Sequence, residues 1–280
     1  GRAPPHFTLS SLWLTRFLSR GSLPCSSVFN SQGTIVLMRR RFFVDHFDDG
    51  TATLRGDAAE HLGRVLRAEA GQLYELSDGE RVWLGRVERV GLLKRGEYRV
   101  EFSLVEPIAV QEPALRLQLL IALVKFDRFE WCLEKATELG VSEIIPLIAS
   151  RTDKVLVGAA GKRHARWQRI LLESAQQSRR LRPPKLAQAA TVEDAYAGCG
   201  AECKLLLSER SDAPGIHDVL LNVNARSAAI SIGPEGGWTD GELGLARAAG
   251  FKQASLGQLV LRTETAVLAS LAILHFALDG

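Results

Sequence analysis

Two stretches near the carboxyl end decide how this chain folds: Ser231-Ile232-Gly233-Pro234-Glu235-Gly236-Gly237-Trp238-Thr239 and Leu256-Gly257-Gln258-Leu259-Val260-Leu261-Arg262-Thr263-Glu264-Thr265-Ala266. Each follows a short apolar run and precedes a helix-like stretch, so each reads as a strand-to-loop-to-helix corner. Glycine there lets the backbone take positive φ or approach a ligand closely. Two such corners in one small domain describe a nucleotide-like pocket built from main chain.

Outward from the corners, the pattern between residues 114 and 280 is α/β. Leu115 to Val124, Ile144 to Leu147, Lys204 to Leu207 and Ala228 to Ile232 are apolar almost throughout. They alternate with helix-like stretches from Phe126 to Leu139 and from Lys162 to Arg179. Strands without polar alternation indicate a parallel sheet covered on both faces. Ligands of such sheets sit at the carboxyl ends of the strands, where both glycine corners fall. Thr239-Asp240-Gly241-Glu242 is a capping box, which marks a helix start rather than a site.

Residues 38–106 have a different texture. Phe42 to Val44, Gly71 to Leu76, Arg81 to Val87 and Tyr98 to Phe102 read as short strands, with a turn at Ser77-Asp78-Gly79. Only Asp57 to Arg67 reads as helix. This is a small β-barrel candidate, joined to the α/β part by a linker at 107–113 that holds Pro107 and Pro113.

The corners are not phosphate-binding loops. The chain has no Gly-x-x-x-x-Gly-Lys-Ser/Thr run and no Gly-x-Gly-x-x-Gly after its first strand. Glu235 instead puts a carboxylate where a phosphate would be repelled. Main chain with an acid beside it suits a neutral base, a ribose or a cation, and S-adenosylmethionine with its sulfonium charge meets that description.

From Met38 to its end the chain resembles the ribosomal RNA small subunit methyltransferase E (RsmE) family, within the knotted SPOUT methyltransferase superfamily. The likeness is carried by Met38-Arg39-Arg40-Arg41-Phe42-Phe43, His61 to Arg67, Glu134 to Val141, Ile232 to Gly237 and Leu256 to Ala266, in order. It implies an N-terminal PUA-like β-barrel that helps bind RNA and a C-terminal α/β domain with a deep trefoil knot. It also implies a homodimer, S-adenosyl-L-methionine as cofactor, and methylation of N3 of one uridine in small-subunit ribosomal RNA.

The residues expected to hold the cofactor are Leu207, Ile232, Gly233, Pro234, Glu235, Gly236, Gly237, Leu256, Gly257, Leu261, Thr265 and Ala266. Arg262 and Glu264 are catalytic candidates because their stretch lies against the cofactor. Arg262 either stabilises the uracil anion or holds the fold through an ion pair. Arg180 joins this set as a residue facing RNA or the partner subunit, with a solvated helix-end charge as the alternative. RNA contacts are expected from Arg39, Arg40, Arg41, Arg64 and Arg67. Further clusters lie at Lys162-Arg163-His164 with Arg166 and Arg169, and at Arg179-Arg180 with Arg182; each is equally readable as a solvated face.

One departure from the family pattern is visible. After the long middle helix the family reads Glu-Gln-Ser/Cys-Gly-Arg, and this chain has Gln176-Gln177-Ser178-Arg179-Arg180. An acid and a glycine are lost, so no general base is assigned there. Trp131, in a helical apolar stripe, reads as core, and His61 as a satisfied histidine rather than a catalyst.

Composition bounds the rest. The net charge of +3 comes from Arg2, Arg16 and Arg20; the remaining 32 basic residues equal the 32 acidic ones, so global charge carries no sign of nucleic acid. Residues 1–37 contain no acid and read either as an organellar transit peptide or as upstream sequence joined ahead of a true start at Met38. The second reading is preferred, because a transit peptide would itself begin with Met. Localisation is then cytoplasmic, and organellar only if that leader is genuine. No apolar run reaches the roughly 18 residues of a membrane helix. Cys199 and Cys203 lack the partners of a zinc set, so no metal is expected. Two other classes stay open: a related knotted enzyme acting on another RNA site, and a non-catalytic RNA-binding or ribosome-assembly protein.

Overall fold

The apolar runs at 115–124 and 228–232 become the two central strands of a parallel sheet. In the computed structural model, which describes residues 40–92, 97–111 and 113–278, two sheets follow one another along the chain. The readings made of the leader and of Arg39 lie outside the described residues.

The first sheet comprises β1 (Arg41–Phe43), β2 (Phe47–Asp48), β3 (Thr51–Arg55), β4 (Leu73–Ser77), β5 (Val82–Leu92) and β6 (Tyr98–Ile108), in the order β1-β4-β5-β6-β3-β2. The β2–β3 hairpin is absent from the strand pattern read above, although its turn is signalled by Asp49-Gly50. Both turn residues have positive φ, 28° and 79°, as a two-residue hairpin loop requires. β6 continues through Pro107 and Ile108, into the stretch read as linker. The helix expected at 57–67 is shorter: α1 (Gly56–Glu60) gives way to a wide π-type turn at His61–Val65. Phe42, Leu54, Leu62, Tyr74, Leu76, Val100 and Phe102 fill the interior of this part.

The second sheet is built from β7 (Arg116–Ala122), β8 (Glu143–Ile148), β9 (Lys185–Leu186), β10 (Ala190–Thr191), β11 (Cys203–Leu207), β12 (Ser227–Ile232) and β13 (Lys252–Ala254). Its order is β10-β8-β7-β12-β11-β13, with β9 also on β8, and every pairing is parallel. The helices are α2 (Phe126–Glu138), α3 (Lys154–Gln177), α4 (Val192–Ala197), α5 (Ile216–Leu220), α6 (Asp240–Ala248) and α7 (Thr263–Leu278). Leu117, Leu119 and Ile121 of β7 pack with Phe129 and Leu133 of α2 and Leu271 of α7. Leu120 and Ala122 point the other way, toward Tyr196 of α4 and Leu243 of α6. Both faces are thus covered, and each buried Leu or Ile contributes about 1.5–3 kcal/mol. Trp131 departs from its core reading: it lies on α2 but is 39% exposed. Among the described residues no helix is long and apolar enough to cross a membrane.

α3 begins eight residues earlier than its apolar pattern suggests, because the Asp153 side chain accepts from Val155 N–H and caps it. It ends in a Schellman-type turn: Arg180 N–H donates to Ala175 C=O (3.0 Å), and Arg179 takes φ +57°. A non-glycine residue in this region costs roughly 1–2 kcal/mol. The Arg179 side chain reaches across to Glu75 of β4, which Arg41 of β1 also grips through Nε (3.1 Å) and Nη2 (2.9 Å). Arg41 and Glu75 are each 4% exposed. Replacing Glu75 by Gln strands the buried Arg41 cation, so Glu75→Gln is expected to cost about 3–5 kcal/mol. A lower urea midpoint at unchanged m-value would show this.

Candidate functional site

The carboxyl ends of β11, β12 and β13 open onto one cavity of about 530 Å³. At the end of β12, Ile232 leads into Gly233, where an added Cβ would lie 2.9 Å from Cε2 of Trp238. That indole is fixed by its Nε1–H, which donates to Leu207 C=O (2.9 Å) at the end of β11. The loop closes through Gly237 N–H to Pro234 C=O (2.8 Å), with Gly237 at φ +70°. The second corner starts after β13, where Ser255 Oγ accepts from Gly257 N–H (3.2 Å) and Gly257 has φ +129°. Leu259 and Val260, 82% and 76% exposed, form the rim of the same cavity.

The expected cofactor residues are brought together with one exception. Leu207, Ile232, Gly233, Pro234, Glu235, Gly236, Gly237, Leu256, Gly257, Leu261 and Ala266 all line the cavity. Thr265 does not, since it sits exposed on the other side of the first turn of α7.

Of the catalytic candidates only Arg262 lines the cavity. Glu264 is turned away; one carboxylate oxygen is buried without a hydrogen-bond partner among the described residues. It lies close enough to Cys132 of α2 to add to the burial that pushes that thiol up to about 12. Arg180 is also turned inward: its Nη1 donates to Thr137 C=O (2.9 Å) and Val141 C=O (2.7 Å), closing the end of α2. Burial lowers its pKa to about 10.

The expected RNA contacts divide similarly. Arg64 is exposed and pairs with Glu60 one turn earlier (3.1 Å), and Arg67 is exposed at φ +50°. Arg40 Nη1 meets His61 Nε2 at 2.7 Å. Burial, followed by the charge of Arg40, holds His61 below its ordinary pKa. Arg41 is corrected from RNA contact to buried partner of Glu75.

Residues not anticipated from the sequence complete the wall. Arg128 enters from the first turn of α2 and pairs with Glu235. Arg151 follows β8, lies along Gly236 and donates to its C=O (2.5 Å). Arg210 follows β11 and pairs with Asp240 (2.6 Å). All three come just after parallel strands, which the carboxyl-end rule would have located. Among these lining arginines Arg262 alone has no hydrogen-bond or ion-pair partner for its guanidinium among the described residues.

The capping box does more than start α6. Glu242 Oε2 accepts from Thr239 N–H (2.8 Å), while Oε1 accepts from Ser150 N–H (2.8 Å). One carboxylate therefore ties the first corner to the segment carrying Arg151. Burial acts to raise the pKa of Glu242, but the hydrogen bonds from Ser150 and Thr239 outweigh it and hold the carboxyl below its usual value. A depressed carboxyl adds stability above the ordinary carboxylate range and loses it as pH falls through the folded value. Glu242→Gln turns one acceptor into a donor facing N–H groups. The expected outcome is a loss of about 1–3 kcal/mol at neutral pH and a flatter acid limb in a plot of unfolding free energy against pH.

Comparison with known proteins agrees with this geometry. Residues 111–275 match the RNA methyltransferase domain family. The ribosomal RNA small subunit methyltransferase E of Synechocystis sp. is 32% identical, covering 98% of this chain and 89% of that protein. A crystal structure of the protein of the same name from Neisseria gonorrhoeae, bound to S-adenosyl methionine, is 30% identical with a TM-score of 0.74; the match covers 85% of this chain and 98% of that one. A methyltransferase structure from Legionella pneumophila, in complex with the same cofactor, gives 30% identity and a TM-score of 0.75 over 85% of this chain and 97% of that one. With a cavity assembled from two glycine corners and relatives spanning nearly its whole length, this chain belongs to the ribosomal RNA small subunit methyltransferase E family.

Proposed function

We propose that this protein binds S-adenosyl-L-methionine in the corner cavity and methylates N3 of one uridine in small-subunit (16S-type) ribosomal RNA. The observation that carries the reading is the convergence of both corners on one cavity whose wall includes Arg262, unpartnered among the described residues. The donor set fits the cofactor. At 233–237 glycine stands where a Cβ would collide with Trp238 or press on Arg151, and at Gly257 a φ of +129° favours glycine although the space beside it is open. Leu207, Ile232 and Leu261 offer apolar walls for a base, and Glu235 offers a carboxylate near a cation.

When bound, the cofactor supplies an electrophilic methyl carbon. The cavity's task is to hold the uracil in line with it, which removes much of the entropic barrier. N3 carries a proton and donates no lone pair until that proton leaves to solvent at the open rim. Arg262, free to meet the uracil oxygens, stabilises the anion so formed. On this reading Arg39, Arg40, Arg64 and Arg67 are the residues that meet phosphates. If the target base starts stacked, it must be flipped out to reach the cavity. On the same reading, the β1–β6 sheet is a PUA-like barrel, the segment through both corners forms the trefoil knot, and two copies pair, with the exposed Phe276 of α7 offering apolar surface. The protein acts in the compartment that holds the small ribosomal subunit.

The test uses labelled S-adenosylmethionine and small ribosomal subunits lacking the modification, with nucleosides resolved by mass spectrometry. Label in N3-methyluridine at one site is expected. Cofactor binding with label elsewhere would reassign the substrate, and absence of both would leave a non-catalytic RNA-binding protein. Arg262→Ala should lower kcat by about 10²–10³-fold while cofactor affinity stays within about twofold, measured by calorimetry.

A further inference from the structure

Arg179 occupies the position where the family pattern carries glycine, and it has the conformation glycine would adopt there. Its φ of +57° is in the left-handed region that glycine enters without hindrance. An arginine there is not explained by the backbone, so its side chain must supply the reason. That side chain makes a fork on Glu75, with Nε on Oε2 (3.1 Å) and Nη2 on Oε1. Planar two-point contact of this kind is what a guanidinium offers and lysine does not.

Glu75 is buried on β4, and Arg41 of β1 donates through Nε and Nη2 to the same Oε2. Two residues further along each partner, Ser77 Oγ donates to Leu181 C=O (2.7 Å). The turn after α3 is therefore laced to β4 at two successive positions on one side of the strand. Arg40, an expected RNA contact, directly precedes Arg41 on the strand that this cluster holds.

We propose that Arg179 is a positioning residue: through Glu75 it fixes the N-terminal, RNA-contacting sheet relative to the cofactor cavity on the parallel sheet. This rests on the methyltransferase reading above. With the fork intact, phosphate contacts on the first sheet and Arg262 in the cavity engage one RNA as a single surface. With it lost, they engage as two loosely joined surfaces, so apparent affinity for RNA falls while the bound complex reacts as before.

Arg179→Gly is the informative variant, because it relieves the left-handed strain and leaves the Arg41–Glu75 pair whole. Methyl transfer to unmodified small subunits should show KM for subunits raised about fivefold or more, with kcat and cofactor Kd within about twofold of the parent. Arg179→Lys, which keeps charge without the fork, should fall between. The second measurement needs no activity: spin labels on Arg89→Cys and Leu221→Cys, in a chain with Cys25→Ser, report the distance between the two parts by pulsed electron resonance. Arg179→Gly should broaden that distribution. An unchanged width, or an unchanged KM beside an active parent, overturns the inference. An inactive parent with a broadened distribution overturns the methyltransferase reading and leaves the clamp standing.

Discussion

Everything at the candidate site depends on one constraint: all strands of the second sheet run the same way. A parallel sheet delivers every carboxyl end to one edge, and each strand must there turn into a loop before its helix can return over a face. β11, β12 and β13 are neighbours, so their following loops share one space. The cavity is the consequence, and its wall is main chain because Gly233, Gly236 and Gly257 stand at the turns. The same constraint explains why β7 and β12 are mostly apolar, since helices cover both sides.

Charge is arranged with similar economy. Among the described residues four arginines reach the cavity, and three of them are committed: Arg128 to Glu235, Arg151 to Gly236 C=O, and Arg210 to Asp240. Those contacts tie α2 and the end of β8 to the first glycine loop, and the loop after β11 to the start of α6. Glu242 adds a fourth tie between Ser150 and Thr239. The loops that would otherwise be the softest part of an α/β fold are thus held from three directions. Arg262 stays uncommitted, which is the condition for meeting charge that develops on a substrate.

The first sheet is held by a different device. A carboxylate buried between two guanidiniums carries a large desolvation cost, met by the hydrogen bonds of both arginines. Such a cluster contributes little net stability but has few alternative geometries, so it defines how β1, β4 and the turn after α3 meet. One nitrogen of Arg41 stays buried without a partner among the described residues, so the cluster is not fully satisfied. The left-handed Arg179 adds to the cost.

Periodicity and local chemistry made a large share of this legible before any coordinates. The nearly continuous apolar runs at 115–124 and 228–232 specify buried parallel strands. Thr239 with Glu242 specifies a helix start, and the glycine corners specify the ligand edge, because each of these is a short-range property of neighbouring residues. The Asp49-Gly50 hairpin was equally local but lies between strands too short to show alternation. What only the tertiary structure decided is where charged side chains end. Arg41 and Arg64 look alike in a sequence, yet one is sealed against Glu75 and the other is open to solvent. Arg180 and Glu264 likewise turn inward, while Arg128 on α2 and Arg151 after β8 arrive in the cavity from segments far away in the chain. A long side chain chooses its partner by distance in space, and only the order and direction of strands in the sheet sets that distance.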